Sequence, residues 1–220
     1  MKNIKVIIFD AYGTLFDVNS AAEKCKQKIG EKWKNFSNYW RITQLEYTWL
    51  RSLMKRHKNF WQITEDSLDK SMDKYSIDVS MRDELLNLYK VLSTFPEVKE
   101  VLKKLKEKNY KLAILSNGTP SLLNELVKSN SLTNIFNDIF SIEEVGIYKP
   151  ASKVYDIPIK KYQVQKKEVI FLSANTWDVS GGGNYGYNSI WVNRCNNTFD
   201  KLDYKPKHQV KNLNEILDLI

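Results

Sequence analysis

Two acids, one amine and several small hydroxyl and amide side chains stand where short apolar runs end in this 220-residue chain. "IIFDAYGTLFD", from Ile7 to Asp17, places Asp10 at the exit of such a run, with Tyr12 two positions on and Gly13-Thr14 behind it. Ser116-Asn117-Gly118 closes "KLAILSNG", Ser173, Asn175 and Asp178 follow "VIFL", and Lys149 precedes Pro150 in the connection between them. If the apolar runs are parallel strands, their carboxyl ends share the rim where open sheets bind ligands. Four segments then deliver two carboxylates, an ammonium and neutral donors to one place, a set suited to polar chemistry on a small ligand. Taken singly, each has an ordinary reading: a strand-end acid capping a loop, a surface lysine, turn-forming Ser, Thr and Asn.

The elements that must position these groups follow from periodicity. Lys5–Phe9 is a near-continuous apolar run, the pattern of a parallel strand buried on both faces. Between Val18 and Leu92 the only glycine is Gly30 and there is no proline. This predicts helices over Ser20–Ile29, Ser37–Arg56, Thr64–Tyr75 and Met81–Leu92, with Thr64 and Ser80 as N-caps before acidic first turns. The long segment carries Tyr39, Trp40, Leu45, Trp49, Leu50, Leu53 and Met54 on more than one side, which predicts packing against two neighbours. From Phe95 onward strands and helices alternate: "PEVKEVLKKLKEK", "YKLAILS", "SLLNELVKS", "DIFSIEE", a helix over Ser152–Tyr162, "EVIFLSA", a Gly-rich turn with a helix start, and "NSIWVN". The expectation is an α/β fold. A Rossmann-like parallel-sheet core, residues 1–17 and 94–220, is split after its first strand by a helical cap, residues 18–93.

Hydrophobic residues make up 42% and charged residues 27%, the balance of a globular protein rather than a disordered one. The net charge of +8 raises nucleic acid as a partner. The lysines, however, are spread along the chain and interleaved with acids, as on solvated helix faces, and no nucleic-acid-binding signature accompanies them. A positive field still favours capture of a small anion. No apolar stretch approaches the ~18 residues of a membrane span. "MKNIKVIIFD" is too short a run for a signal segment, so a cytoplasmic protein without membrane or nucleic-acid partners is expected. Cys25 and Cys195 match no metal or redox spacing and are expected to be free, buried thiols. His57 and His208 match no catalytic motif.

"FDAYGTLFD", "LAILSNG", "YKP" with the following "VY", and "FLSANTWD" resemble the four motifs of the haloacid dehalogenase (HAD) superfamily. "WRITQLEYTWLRSLM", Asn59-Phe60 and "WVNR" at Trp191–Arg194 narrow the resemblance to its L-2-haloacid dehalogenases, over Ile4 to about Arg194. The resemblance implies hydrolysis of short (S)-2-haloalkanoic acids to (R)-2-hydroxy acids and halide, with no metal or other cofactor and as a homodimer. It implies Asp10 as nucleophile, since a desolvated carboxylate aimed at a carbon bearing a leaving group becomes useful. Lys149 would hold Asp10 ionised, Arg41 would receive the halide, and Thr14 would hydrogen-bond around Asp10. Asp178 would orient or activate water, aided by Ser173 and Asn175. Ser116 and Asn117 would donate to the substrate carboxylate, and Tyr155 would support Lys149. Tyr12, Leu45, Phe60 and Trp177 would line the apolar pocket. Ordinary readings stand beside these: Arg41 in a helix-surface ion pair, Tyr155 as helix core, and aromatics at helical spacing as simple packing.

Tyr12 separates the alternatives. Phosphatases of the superfamily carry a second Asp there, a general acid for a departing alcohol, and use Mg²⁺. Halide leaves without a proton, so an aromatic wall suffices. A Mg²⁺-dependent phosphatase, or a binding protein that merely keeps the fold, are the rival readings. Two departures from the family pattern stand out. Ala151 replaces the Asp that usually follows "YKP", removing a helix cap, and Gly181–Gly183 with Asn184 stand where a small residue and a base are expected, predicting a loosened turn near Asp178.

Overall fold

The computed structural model describes residues 3–220. Among them, β1 (Val6–Phe9), β2 (Lys111–Ser116), β3 (Asp138–Ser141), β4 (Val169–Ser173), β5 (Asn188–Val192) and β6 (His208–Val210) form one sheet in the order β3-β2-β1-β4-β5-β6. Every neighbouring pair is parallel. β1 lies between β2 and β4, and all four of its side chains are buried, as its unbroken apolar run requires. Register brings the polar residues together. Phe9 pairs with Ile114 on one side and Leu172 on the other. Asp10, whose N–H donates to the Leu172 carbonyl at 2.9 Å, therefore lies level with Ser173 and one residue short of Ser116.

Between β1 and β2 the chain is helical: α1 (Ser20–Lys24), α2 (Lys26–Ile29), α3 (Trp33–Leu53), α4 (Phe60–Tyr75) and α5 (Arg82–Lys90). The rest alternates strands with α6 (Val98–Glu107), α7 (Pro120–Ser129), α8 (Ser152–Tyr162) and α9 (Thr176–Tyr185). Each α/β helix packs a stripe on the sheet. In α6 the stripe is Val98, Val101, Leu102 and Leu105, all fully buried, each contributing about 1.5–3 kcal/mol. On α3 the buried row Phe36, Trp40, Gln44 and Thr48 runs at four-residue spacing and includes a polar amide. Trp40 meets α4 by donating from Nε1 to the Thr64 carbonyl at 3.1 Å, and meets Tyr89 of α5 with ring centres 5.1 Å apart.

Several boundaries depart from the sequence reading. The helix expected over Ser20–Ile29 is broken at Cys25. The long helix begins four residues earlier than expected, at Trp33, and ends at Leu53. Thr64 does not cap α4: its hydroxyl donates to the Phe60 carbonyl inside the helix, while Asn59 accepts from Gln62 N as the cap. Nor does Ser80 cap α5; Asp78 accepts from Ser80 N and starts a 3₁₀ turn that leads into it. In both cases an acceptor placed just ahead captured the first free N–H groups. Cys25 is buried as expected, but Cys195 is exposed in the loop after β5. Strand β6 went unforeseen, because "HQV" at an edge has too few residues for a periodic signal.

Candidate active site

Asp10 leaves β1 into a tight loop. Gly13 takes φ +87°, a conformation open to glycine, and Leu15 N and Phe16 N both donate to the Ala11 carbonyl, at 2.9 and 3.0 Å. The loop turns Thr14 back on the strand end, where its hydroxyl donates to Asp10 Oδ2 at 2.9 Å and accepts from Ala174 N at 2.8 Å. Asn175 Nδ2 donates to the same Oδ2 at 2.9 Å and to the Tyr12 carbonyl at 3.2 Å. Lys149 Nζ stands 3.1 Å from Asp10 Oδ1 and 2.9 Å from Asp178 Oδ2, bridging both acids. Asp10 is 5% exposed, Lys149 1% and Asp178 0%, so all three charges are held out of water. Asn117 Oδ1 accepts from Lys149 N at 3.1 Å, tying the lysine's backbone to the end of β2.

Tyr155 occupies a different place from the one expected of it. Its hydroxyl donates to Asp178 Oδ1 at 2.7 Å and has no bond to Lys149, so it supports the acid instead of the amine. The reason is positional: α8 and α9 pack side by side, and Tyr155 faces Asp178 on the neighbouring helix. Burial raises the Asp178 carboxyl to about 6, against the opposing pull of Lys149. Burial first, then the Asp178 charge, pushes the Tyr155 phenol well up. Burial does the same to Tyr12, whose hydroxyl is enclosed without a hydrogen-bond partner among the described residues.

Arg41 reaches the rim from α3. Its Nη1 donates to Gln44 Oε1 at 2.9 Å, while Nη2 lies 3.4 Å from the Tyr12 carbonyl and 3.5 Å from Asn175 Oδ1. The helix-surface ion pair that was its alternative reading is absent among the described residues. Neutral donors remain to spare around the acids. The Ser116 hydroxyl accepts from Gly118 N at 3.1 Å, and the Ser173 hydroxyl accepts from Asn175 N at 3.1 Å. Neither hydroxyl proton is used by a described residue, nor is the Asn117 amino group.

The apolar candidates divide. Phe60, at the start of α4, sits 5.0 Å from the Tyr12 ring, so those two form one wall. Leu45, half-buried, lies one turn beyond Arg41. Trp177, at the start of α9, packs edge-on against Trp49 of α3 at 5.4 Å, joining the helical layer to the sheet side. Gly181–Gly183 do not form a loosened turn. They lie inside α9, where a Cβ at Gly181 would strike Tyr155 and Pro150 and one at Gly182 would strike Phe171, so close packing demands those two, while Gly183 faces only the ring of Tyr204. Ala151 does stand at the N-cap of α8 with no side-chain bond. Sequence reading assigned nothing to Gln44 or Tyr89, and quoted Arg194 without a role. Arg194 donates to the Thr14 carbonyl at 2.8 Å and to Glu97 at 2.6 Å, bracing the loop that carries Thr14. Gln44, three residues after Arg41, could have been found from helical spacing alone.

Residues 4–186 match the haloacid dehalogenase-like hydrolase family. The (S)-2-haloacid dehalogenase of Pseudomonas fluorescens is 38% identical over 218 residues, 98% of this chain and 96% of that one. Among solved structures, one described as a dehalogenase superposes with a TM-score of 0.98 at 36% identity, covering 100% of this chain and 98% of its own. The L-2-haloacid dehalogenase of Xanthobacter autotrophicus, solved with chloropropionic acid covalently bound, gives 0.91 at 29% identity over 98% of each chain. A single parallel sheet with an acid, a lysine and a second acid at its rim, matched end to end by such relatives, places the chain in the haloacid dehalogenase-like hydrolase family, among the (S)-2-haloacid dehalogenases.

Proposed function

We propose that the protein hydrolyses short (S)-2-haloalkanoic acids to (R)-2-hydroxy acids and halide through an ester on Asp10. The observation that carries this reading is the Asp10 carboxylate clamped by Thr14, Asn175 and Lys149, with Tyr12 where a phosphatase would hold a second acid. Spare donors on Ser116, Asn117 and Ser173 receive the substrate carboxylate, and the Tyr12, Leu45, Phe60 and Trp177 side chains take the short alkyl chain. A carboxylate oxygen of Asp10 attacks C2 from the side opposite the halogen. The carbon–halogen bond breaks, the halide leaves toward Arg41, and C2 inverts. Asp178, ionised above about pH 6, takes a proton from water. The hydroxide adds to the Asp10 carbonyl carbon, and the ester C–O bond breaks to release the hydroxy acid. One solvent oxygen is left in Asp10. Lys149 offsets the charge that a metal ion offsets in the phosphatases.

The helical segment 18–93 acts in this reading as a cap that brings Arg41 to the rim. A homodimer is supported by Leu50, Leu53 and Met54, exposed together at the end of α3. A cytoplasmic setting agrees with two unpaired thiols. The test is halide release from (S)-2-chloropropionate in the presence of EDTA, beside Asp10→Asn and beside a phosphate ester with Mg²⁺. Metal-independent release abolished by the substitution supports the reading. Turnover of the ester alone transfers the chain to the phosphatases, and turnover of neither leaves a binding protein.

A further inference from the structure

We infer that Thr64 and Gln44 form a positioning relay that fixes where Arg41 stands and which way its charge is held. Gln44 is 1% exposed and Thr64 0%, and both lie in the helical segment, away from Asp10. The Thr64 hydroxyl has one proton, donated to the Phe60 carbonyl at 2.7 Å. Its oxygen must therefore accept, and the partner is Gln44 Nε2 at 2.7 Å. With the amino side turned to Thr64, the amide can present only Oε1 to Arg41, whose Nη1 donates to it at 2.9 Å. The Tyr89 hydroxyl closes the remaining side of the amide, 3.0 Å from Nε2 and 3.2 Å from Oε1. Were the amide reversed, two donors would face each other across the gap to Arg41 and the Thr64 oxygen would lose its donor. The two constraints agree, so the orientation is over-determined.

Such a buried polar network is costly unless each member is satisfied, and here each is. Its product is an acceptor behind Arg41 that leaves the far side of the guanidinium, with Nη2 at the Tyr12 carbonyl and Asn175, turned to the rim. Three helices contribute, α3 through Gln44, α4 through Thr64 and α5 through Tyr89. The packing of the helical layer is thereby coupled to the placement of one charge. The inference rests on the proposed role of Arg41 as acceptor of the departing halide. Thr64 and Gln44 touch no reacting atom and act through Arg41 alone.

The experiment compares turnover of (S)-2-chloropropionate and (S)-2-bromopropionate by Thr64→Val, Thr64→Ser, Gln44→Leu and Arg41→Ala. Chloride is the poorer leaving group and depends more on assistance. Thr64→Val is expected to lower kcat about tenfold for the chloride and about threefold for the bromide, with KM changed less than about twofold. Thr64→Ser restores the hydroxyl and keeps the parent ratio, and Gln44→Leu steepens the ratio beyond Thr64→Val. General loosening of the fold would lower both substrates alike, and thermal melts identify variants that fail to fold. Equal losses in Thr64→Val beside a steepened ratio in Arg41→Ala overturn the relay alone. An unchanged ratio in Arg41→Ala overturns the halide role of Arg41, and the relay with it.

Discussion

Replacing Gly181 by alanine adds one methyl group at a crowded point behind the acids. That Cβ would stand 2.5 Å from Tyr155 Oη and 2.6 Å from Pro150 Cβ, where ordinary contact begins at 3.4 Å. One neighbour or both must retreat by about 0.9 Å. A retreat of that size along its bond carries the Tyr155 hydroxyl, now 2.7 Å from Asp178, to about 3.6 Å, beyond hydrogen-bonding range. Movement of Pro150 displaces Lys149, its neighbour in sequence. Overpacking costs about 1–3 kcal/mol and the lost bond to a charged group about 1.5–3 kcal/mol, while alanine returns about 1 kcal/mol of helix propensity. The net loss is about 1.5–5 kcal/mol, a fall in Tm of roughly 3–20 °C for a chain of this size. Misplacing reacting groups by about 1 Å costs about 10²-fold in kcat. Gly183→Ala serves as the control, because its Cβ would meet only the ring of Tyr204, in a segment without helix or strand that can swing aside. Its kcat is expected within about twofold of the parent. Halide release measured with a chloride-sensitive dye, beside differential scanning fluorimetry, reads both quantities. The reasoning fails if Gly181→Ala retains a third of parental kcat, or if Gly183→Ala is equally damaging.

Below about pH 6 the raised carboxyl of Asp178 takes up a proton, so hydrolysis of the ester should slow about tenfold per unit while its formation continues. Rapid quenching at pH 5 should then trap more substrate on Asp10 than at pH 8, detectable as added mass on the intact protein. Lys149→Met leaves two carboxylates sharing a dry site without their cation, which should cost about 3–5 kcal/mol and remove halide release. Chemical denaturation and the same dye assay measure this. Ala151→Asp supplies an acceptor at the bare N-cap of α8 and should raise stability by about 0.5–2 kcal/mol, seen as a higher denaturation midpoint.

Much of this molecule is legible in its sequence because its elements are strongly patterned. The helix over Ser152–Tyr162 is found at the residues expected, and Asp10, Thr14, Lys149, Asn175 and Asp178 come within hydrogen-bonding distance of one another at the sheet rim. Parallel strands need only their apolar runs to declare where they end, and the ends carry the site. What the sequence conceals depends on partners far along the chain. The glycine run reads as slack until Tyr155, Phe171 and Tyr204 are seen against it. Tyr155 reads as support for Lys149 until the side-by-side packing of α8 and α9 turns it to Asp178. Gln44 stands one helical turn from Arg41, but the partners that orient it, Thr64 and Tyr89, lie 20 and 45 residues away.

The lysine between the two acids fixes an inventory of formal charge. Asp10 and Asp178 are countered by Lys149 and, across the rim, by Arg41, so the protein's own charges at the cleft sum to zero. An incoming haloacid adds one negative charge. In the proposed reaction Asp10 gives up its charge as the ester forms, the halide gains it, and the total inside is unchanged. Charge is relocated over a few ångströms rather than created, and dilute salt outside has little purchase on that step. Ionic strength should therefore act on capture of the anion by the basic surface, through kcat/KM, and leave kcat nearly level.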